Sequence, residues 1–276
     1  MLRILSAIWH RTDRAELDLI AAGVAFYAFL AIFPALAAII ALWGFASDPA
    51  VIRAQVAPLA QFLPADAFSL ISAQIESLLS ANNRSLGWSS AFSLLLALWS
   101  ARAGVAALIR GLNAIHHLPN RIGIWHQVQA IVLTLLLVAL VLAAMLAAVV
   151  GPLVIHWLPL GPGEALALEA ANIALGAALL VLAIGLIYRL APNRKLAPRL
   201  FTRGLFLALV LWVLVSRGFV LYLANFSTYN QIYGSIGAVA ALLMWFYLSA
   251  YAVLLGAAVD AEFAARRRGR PSALRQ

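Results

Sequence analysis

"QVQAIVLTLLLVALVLAAMLAAVVGPLVI", residues 127–155, contains 29 residues and no charge. As a helix rising 1.5 Å per residue it would be roughly 43 Å long. The hydrocarbon core of a bilayer is about 30 Å thick, and about 20 apolar residues cross it. The stretch therefore reads as a transmembrane helix.

Five further segments have the same character, at 20–46, 87–112, 165–190, 201–224 and 234–260. The whole chain agrees with them. Of 276 residues, 65% are hydrophobic and 11% are charged, with mean hydropathy +0.98. Soluble chains are about half apolar and about a quarter charged. The expected fold is all-α, a polytopic membrane protein of six transmembrane helices. There are no cysteines, which excludes disulfides, thiolate metal sites and cysteine nucleophiles.

The net charge of +9 would suggest nucleic acid in a soluble protein. Here it sorts by loop. Arg3, Arg11 and Arg14 precede the first span, and Arg110 and Arg121 lie between spans two and three. Arg189, Arg194, Lys195, Arg199 and Arg203 lie between spans four and five. Arg266, Arg267, Arg268, Arg270 and Arg275 follow the sixth. Together these are 15 of the 19 basic residues, and the other side holds only Arg53 and Arg84. Positive loops face the cytoplasm, so both termini are expected there. The basic excess is topology, and no specific nucleic-acid partner is expected.

The organisation follows: a cytoplasmic amphipathic segment at 1–19, a six-span membrane domain at 20–263 and a basic cytoplasmic tail at 264–276. Leu2, Leu5, Ile8 and Trp9 fall near one helical face, with Arg3, Arg11 and Arg14 around them. This suits a helix on the inner membrane surface; a plain solvated helix is the alternative. The long outer connection, 47–86, places Phe68, Ile71, Ile75, Leu78 and Leu79 at helical spacing. It is expected to form an outer amphipathic helix, serving as cover or gate. Pro34 should kink the first span, Pro152 and Pro159 should close the third, and "GPG" at 161–163 reads as a turn. Spans 1–3 and 4–6 would enter from opposite sides, as inverted repeats do, without visible internal sequence similarity.

Two arginines lie within spans. Arg102 is roughly 12 Å from the inner end of its helix and Arg217 about as far from the outer end. A charge at bilayer depth costs at least ~2.5 kcal/mol and should face protein or water. Asp260 and Glu262 are candidate partners for Arg102, and Glu164 and Glu169 for Arg217. The arginines are either structural ion pairs or parts of an anion-attracting cavity. Tyr27, Trp99, Ser100, Tyr222, Tyr247 and Tyr251 also lie within spans, as anchors, packing residues or cavity lining. His116, His117 and His126 do not make a zinc pattern, because no HExxH and no acidic cluster accompany them. No GxSxG, Walker or GxGxxG motif occurs. No metal and no cofactor are expected.

"AAGVAFYAFLAIFP" at 21–34, "LWSARAGVAALIRGLNAIHHLP" at 98–119 and "YRLAPNRK" at 188–195 resemble the YihY/BrkB family. So does "LYLANFSTYNQIYGSIGAVAALLMWFYLSAYAVLLGAAVDAEF" at 221–263. These are bacterial inner-membrane proteins, formerly labelled ribonuclease BN. The last block carries the most specific pattern, N-F-S-x-Y-x-x-I/V-Y-G-S-I/L-G. The family's "GAELNAE" is "GAAVDAE" here, at 256–262, so Ala258 replaces one acidic position and Asp260 supplies another. The resemblance implies a multi-pass inner-membrane protein linked with envelope integrity, serum resistance or lipid A export.

The polar stretch 225–233 ahead of the last span reads as a short outer turn, rigid or partly re-entrant, with Tyr229, Asn230 and Tyr233 near a cavity mouth. The cavity candidates are thus Arg102, Arg217, Asp260, Glu262, Tyr27, Tyr229, Asn230 and Tyr233. Three functions follow. One is a transporter or flippase-like exporter of an anionic or amphipathic, lipid-like molecule. Another is a non-transporting envelope-integrity or assembly factor. The third, a membrane ribonuclease, is disfavoured, and no enzyme activity is expected. Membrane lipids and an anionic amphipathic substrate are the expected partners. Gly104, Gly176 and Gly185 permit close helix packing within or between subunits, so oligomerisation is possible.

Overall fold

The computed structural model describes residues 2–46, 68–69, 72–73, 76, 83–120, 123–157, 161–194, 201–224, 227–267 and 269. Among these are seven long helices and no strand: α1 (Leu2–Arg14), α2 (Leu17–Ala46), α3 (Asn83–Ile115), α4 (Ile124–Trp157), α5 (Pro162–Leu190), α6 (Arg203–Ala224) and α7 (Ser227–Arg267). Six of them contain stretches long and apolar enough to cross a membrane: Leu17–Ala35, Ala91–Ile115, Ile124–Ala148, Leu166–Leu190, Arg203–Tyr222 and Gly237–Arg266. The chain is an all-helical, multi-pass membrane protein.

Several local readings change. Ser227–Tyr233 form the first two turns of α7, not a loop; 225–226 lie outside the described residues. A tyrosine-rich polar stretch can be helical when the helix simply extends beyond its apolar span. Pro152 does not close α4, which continues to Trp157. The "GPG" stretch is a helix start: Gly161 is the N-cap and Pro162 opens α5, where its missing N–H costs nothing. Glu164 Oε2 accepts the Gly161 N–H at 3.0 Å, the return half of a capping box. α2 runs through Pro34. Most of the outer connection at 47–86 lies outside the described residues. Phe68, Ser69, Ser72, Ala73 and Glu76, which are described, are helical.

Two compact units are resolved. The first comprises Met1–Leu17, Val105–Leu211 and Tyr251–Gln276. Its core contains Ala7, Leu112, Ile115, Ala130, Leu133, Leu205, Ala208, Leu254 and Ala258, and α4 packs against α5. The packed face of α1 is not its most apolar one. Ala7, Arg11, Thr12 and Ala15 are buried, while Trp9 is 69% exposed. The second unit comprises Asp18–Gly104 and Trp212–Ala250. It buries small residues, among them Ala21, Ala25, Ala97, Ser100, Ala103 and Ala241. Trp245 stacks on Phe219 at 5.7 Å, tilts against Trp212 and donates to Ser216 Oγ at 3.3 Å.

The outer faces carry large apolar side chains such as Phe33, Phe92, Leu95, Val141, Leu146, Ile173 and Leu214. Leucines and isoleucines are buried as well, but the many large apolar residues outside depart from the order of a water-soluble bundle. Lipid tails solvate leucine as well as a protein core does, so helices associate through close packing of small residues.

Candidate functional site

The polar groups of the first unit gather where α1, α3, α5, α6 and α7 end. α3 terminates at Ile115. Leu118 N–H bonds to Asn113 C=O at 2.8 Å and His117 N–H to Ala114 C=O at 3.0 Å, with His117 at φ 53°. This is a Schellman end with histidine in the left-handed position usually given to glycine. Arg11 completes the cap: its Nη1 donates to the Ile115 carbonyl at 2.8 Å. A cation at a helix C-terminus also meets the negative end of the macrodipole.

The same guanidinium donates through Nη2 to Glu262 Oε2 at 3.2 Å. Glu262, 0% exposed, accepts Arg266 Nε on its other oxygen at 2.9 Å. A buried carboxylate survives because two cations and two hydrogen bonds replace its water.

Asn113, also buried, ties two loops. Its Nδ2 donates to Asn120 Oδ1 at 2.9 Å, and its Oδ1 accepts the Asn193 N–H at 2.8 Å. Asn193 Nδ2 returns to the Pro119 carbonyl at 3.2 Å. Gln129 of α4 caps the end of α5, donating to the carbonyls of Leu190 and Ala191.

α6 starts with Thr202 as its cap; Thr202 Oγ1 accepts the Leu205 N–H at 3.1 Å. Asp260 of α7 adds a carboxylate there, accepting the Gly204 N–H at 2.7 Å. A negative group at a helix N-terminus is favourable. The approach is possible because Gly204 faces Gly256. A Cβ on Gly204 would overlap the Gly256 carbonyl oxygen and the Asp260 carboxylate, and one on Gly256 would overlap the Gly204 carbonyl oxygen and the Tyr188 hydroxyl. Tyr188 donates to the Val253 carbonyl at 2.5 Å. Gly204 and Gly256 thus pack backbone against backbone. Gly176 has nothing within 4 Å of an added Cβ, and Gly104 meets Tyr27 at ordinary contact distance, 3.4 Å.

Between these groups lies a cavity of about 420 Å³, within the size range of small-molecule sites. His116, Tyr188, Arg194, Phe201, Arg203, Asp260 and Phe263 line it. Arg203 stacks its guanidinium over the Phe263 ring, 4.9 Å from the centroid. Two arginines and one aspartate are among the lining residues, and that carboxylate already accepts a backbone N–H. His116 registers the result. Burial first, then Arg194, Arg11 and His117, hold it down at about 3 against an ordinary 6.5. His117 is lowered too, by burial, Arg11 and Arg14. The imidazole at the cavity wall is thus neutral at physiological pH.

Of the candidates named from sequence, Asp260 lines this cavity. Glu262 is sealed in its ion pairs with Arg11 and Arg266. Arg102 and Tyr27 are half-buried and Arg217 is exposed, all in the second unit. Tyr229, Asn230 and Tyr233 occupy the first turns of α7, where only the backbone is described. Arg194 and Arg203 were legible only as basic loop residues. Among the described residues no three His, Asp or Glu side chains converge as metal ligands would.

A family model described as virulence factor BrkB matches residues 8–276. The chain belongs to the BrkB family. Over 255 residues, 90% of each chain, it is 32% identical to the ribonuclease-like protein YfkH of Bacillus subtilis. Over 92 residues it is 45% identical to a UPF0761 membrane protein of Xanthomonas oryzae and 44% identical to one of Xanthomonas axonopodis. Those 92 residues are 33% of this chain and only 21% and 22% of the two Xanthomonas proteins. No solved structure matches the chain. The BrkB match spans all six candidate spans and the whole polar cluster.

Proposed function

We propose that this BrkB-family protein moves an anionic amphipathic molecule, a lipid or lipid precursor, across the bacterial inner membrane, with both termini in the cytoplasm. The observation carrying this reading is the cavity at the basic ends of the helices. Arg194 and Arg203 supply cations, while Tyr188, Phe201 and Phe263 supply apolar and aromatic wall. A phosphate or carboxylate headgroup suits the guanidinium donors, which bind such groups through paired hydrogen bonds. Rings beside them accommodate the start of an apolar chain. The single carboxylate, Asp260, is engaged at the N-terminus of α6, which reduces its repulsion of an anion. Burial first, and then the nearby guanidinium of Arg194, keep His116 neutral.

In this reading the protein carries out no bond-breaking chemistry. Its work is to accept a headgroup, shield it from the bilayer interior and release it on the other side. A charge costs at least ~2.5 kcal/mol in the centre of the membrane, and that is the barrier a protein cavity lowers.

The test is transbilayer movement in vesicles containing the purified protein, using an anionic and a neutral fluorescent lipid. Faster movement of the anionic lipid, lost in Arg194→Gln/Arg203→Gln, is the expected result. Movement no faster than in empty vesicles would instead favour a non-transporting envelope or assembly role.

A further inference from the structure

The charged residues lining the cavity are Arg194, Arg203 and Asp260. His116, held at about 3, is neutral. Two cations and one anion leave the lining with a balance of one positive charge.

Asp260 and Phe263 stand three residues apart on α7, so they share a face of the helix. The Arg203 guanidinium lies over the Phe263 ring, 4.9 Å from its centroid. Stacking uses the face of that planar group, and its N–H donors point outward in the plane, where they suit phosphate oxygens. Asp260 Oδ1 accepts the N–H of Gly204, the next residue after Arg203, at 2.7 Å. Arg194 and Asp260 are both half-buried.

The start of α6 requires an acceptor at this place rather than a charge. An amide oxygen would accept the Gly204 N–H in the same way, and asparagine caps helices as well as aspartate does. The negative charge of Asp260 also acts on the cavity whose wall it forms. A headgroup with one negative charge closes the balance of the lining. A second negative charge would enter beside Asp260 with no lining cation left for it, and like charges set together exclude a ligand.

We propose that Asp260 sets the charge of the headgroup the cavity accepts, so that a monoanionic phosphodiester lipid is taken in preference to a dianionic phosphomonoester. The inference rests on the anion-binding reading of the cavity and narrows its ligand.

The full-length protein is placed in phosphatidylcholine nanodiscs with equal amounts of phosphatidylglycerol, a diester, and phosphatidic acid, a monoester. Retained lipids are counted by native mass spectrometry after equilibration at about pH 8.5, well above the second ionisation of a phosphomonoester near about pH 6. Cavity binding is the part lost in Arg194→Gln/Arg203→Gln. The wild type should hold phosphatidylglycerol about tenfold over phosphatidic acid. Asp260→Asn keeps an acceptor for Gly204 and should move that ratio about tenfold toward phosphatidic acid. The wild-type preference should also largely vanish at about pH 5, where the monoester carries a single charge, a result that needs no variant. Equal retention of the two lipids by the wild type at the higher pH would overturn the proposal. So would arginine-dependent binding whose diester preference is the same in Asp260→Asn and at both pH values; the anion site itself would then stand. Retention indifferent to the two arginines would overturn the anion-binding reading and this inference with it.

Discussion

Arg11 and Glu262 meet at 3.2 Å across 251 residues of chain, with 7% and 0% of their side chains exposed. The pair fastens the first helix to the last, and through the Ile115 carbonyl it also closes the end of α3. Removing one partner strands a buried charge, whereas removing both does not. Glu262→Ala or Arg11→Ala should therefore destabilise by about 3–5 kcal/mol. Arg266 is 37% exposed, so Arg266→Ala should cost below about 1 kcal/mol. Arg11→Met/Glu262→Leu should recover much of the loss. Unfolding of the detergent-solubilised protein followed by circular dichroism measures all four.

The α6–α7 crossing depends on two missing side chains. Gly204→Ala and Gly256→Ala each place a Cβ into backbone and a neighbouring side chain, and each should cost about 1–3 kcal/mol. Gly176→Ala and Gly23→Ala meet open space. As helix-interior glycines they should gain about 0.5–1 kcal/mol. Melting temperatures should separate the two pairs by sign. Equal effects would mean that the crossing is looser than described.

Asn113 bridges the loops after α3 and α5, and Asn193 returns one bond to Pro119. Asn113→Leu leaves the Asn193 N–H without its acceptor. A buried unsatisfied group costs about 1–3 kcal/mol. Faster amide exchange at 191–194, with little change in the cores of the spans, is the expected signature.

His116 and His117 make stability sensitive to acid. The folded state holds His116 at about 3 while the unfolded value is 6.5, so in that window the unfolded chain binds the proton more readily. Stability from this group is full above about 6.5 and is lost progressively as pH falls through the folded value. His117 shifts in the same direction. His116→Gln should flatten the decline in unfolding midpoint between pH 7 and 5. An unchanged slope would contradict the burial of the ring.

The six spans were legible because an apolar run longer than the bilayer leaves little else for the backbone to do. The polar cluster was less legible. Arg11 reads as a polar residue beside an apolar face, Leu2, Leu5, Ile8 and Trp9, turned to the membrane surface; Trp9 is exposed, but Arg11 is buried. In lipid and at its surface, apolar periodicity no longer tells inside from outside. Pro152 and the "GPG" stretch look like breaks, but α4 runs on past Pro152 to Trp157, and a proline at N1 leaves a helix intact. The 225–233 stretch looks like a loop because its residues are polar, and from Ser227 it continues a helix that starts beyond the apolar span. Arg194 and Arg203 gave only one signal, their place in a basic loop. Their convergence with Asp260 requires the Gly204–Gly256 crossing, which no local pattern announces.

Native mass spectrometry of the protein, released gently from its own membrane with its bound molecules identified, tests the central claim most directly. An anionic amphipath retained by the wild type, and lost in Arg194→Gln/Arg203→Gln at unchanged melting temperature, is the predicted result. The same bulk membrane lipids on both proteins, in the same proportions, would contradict it.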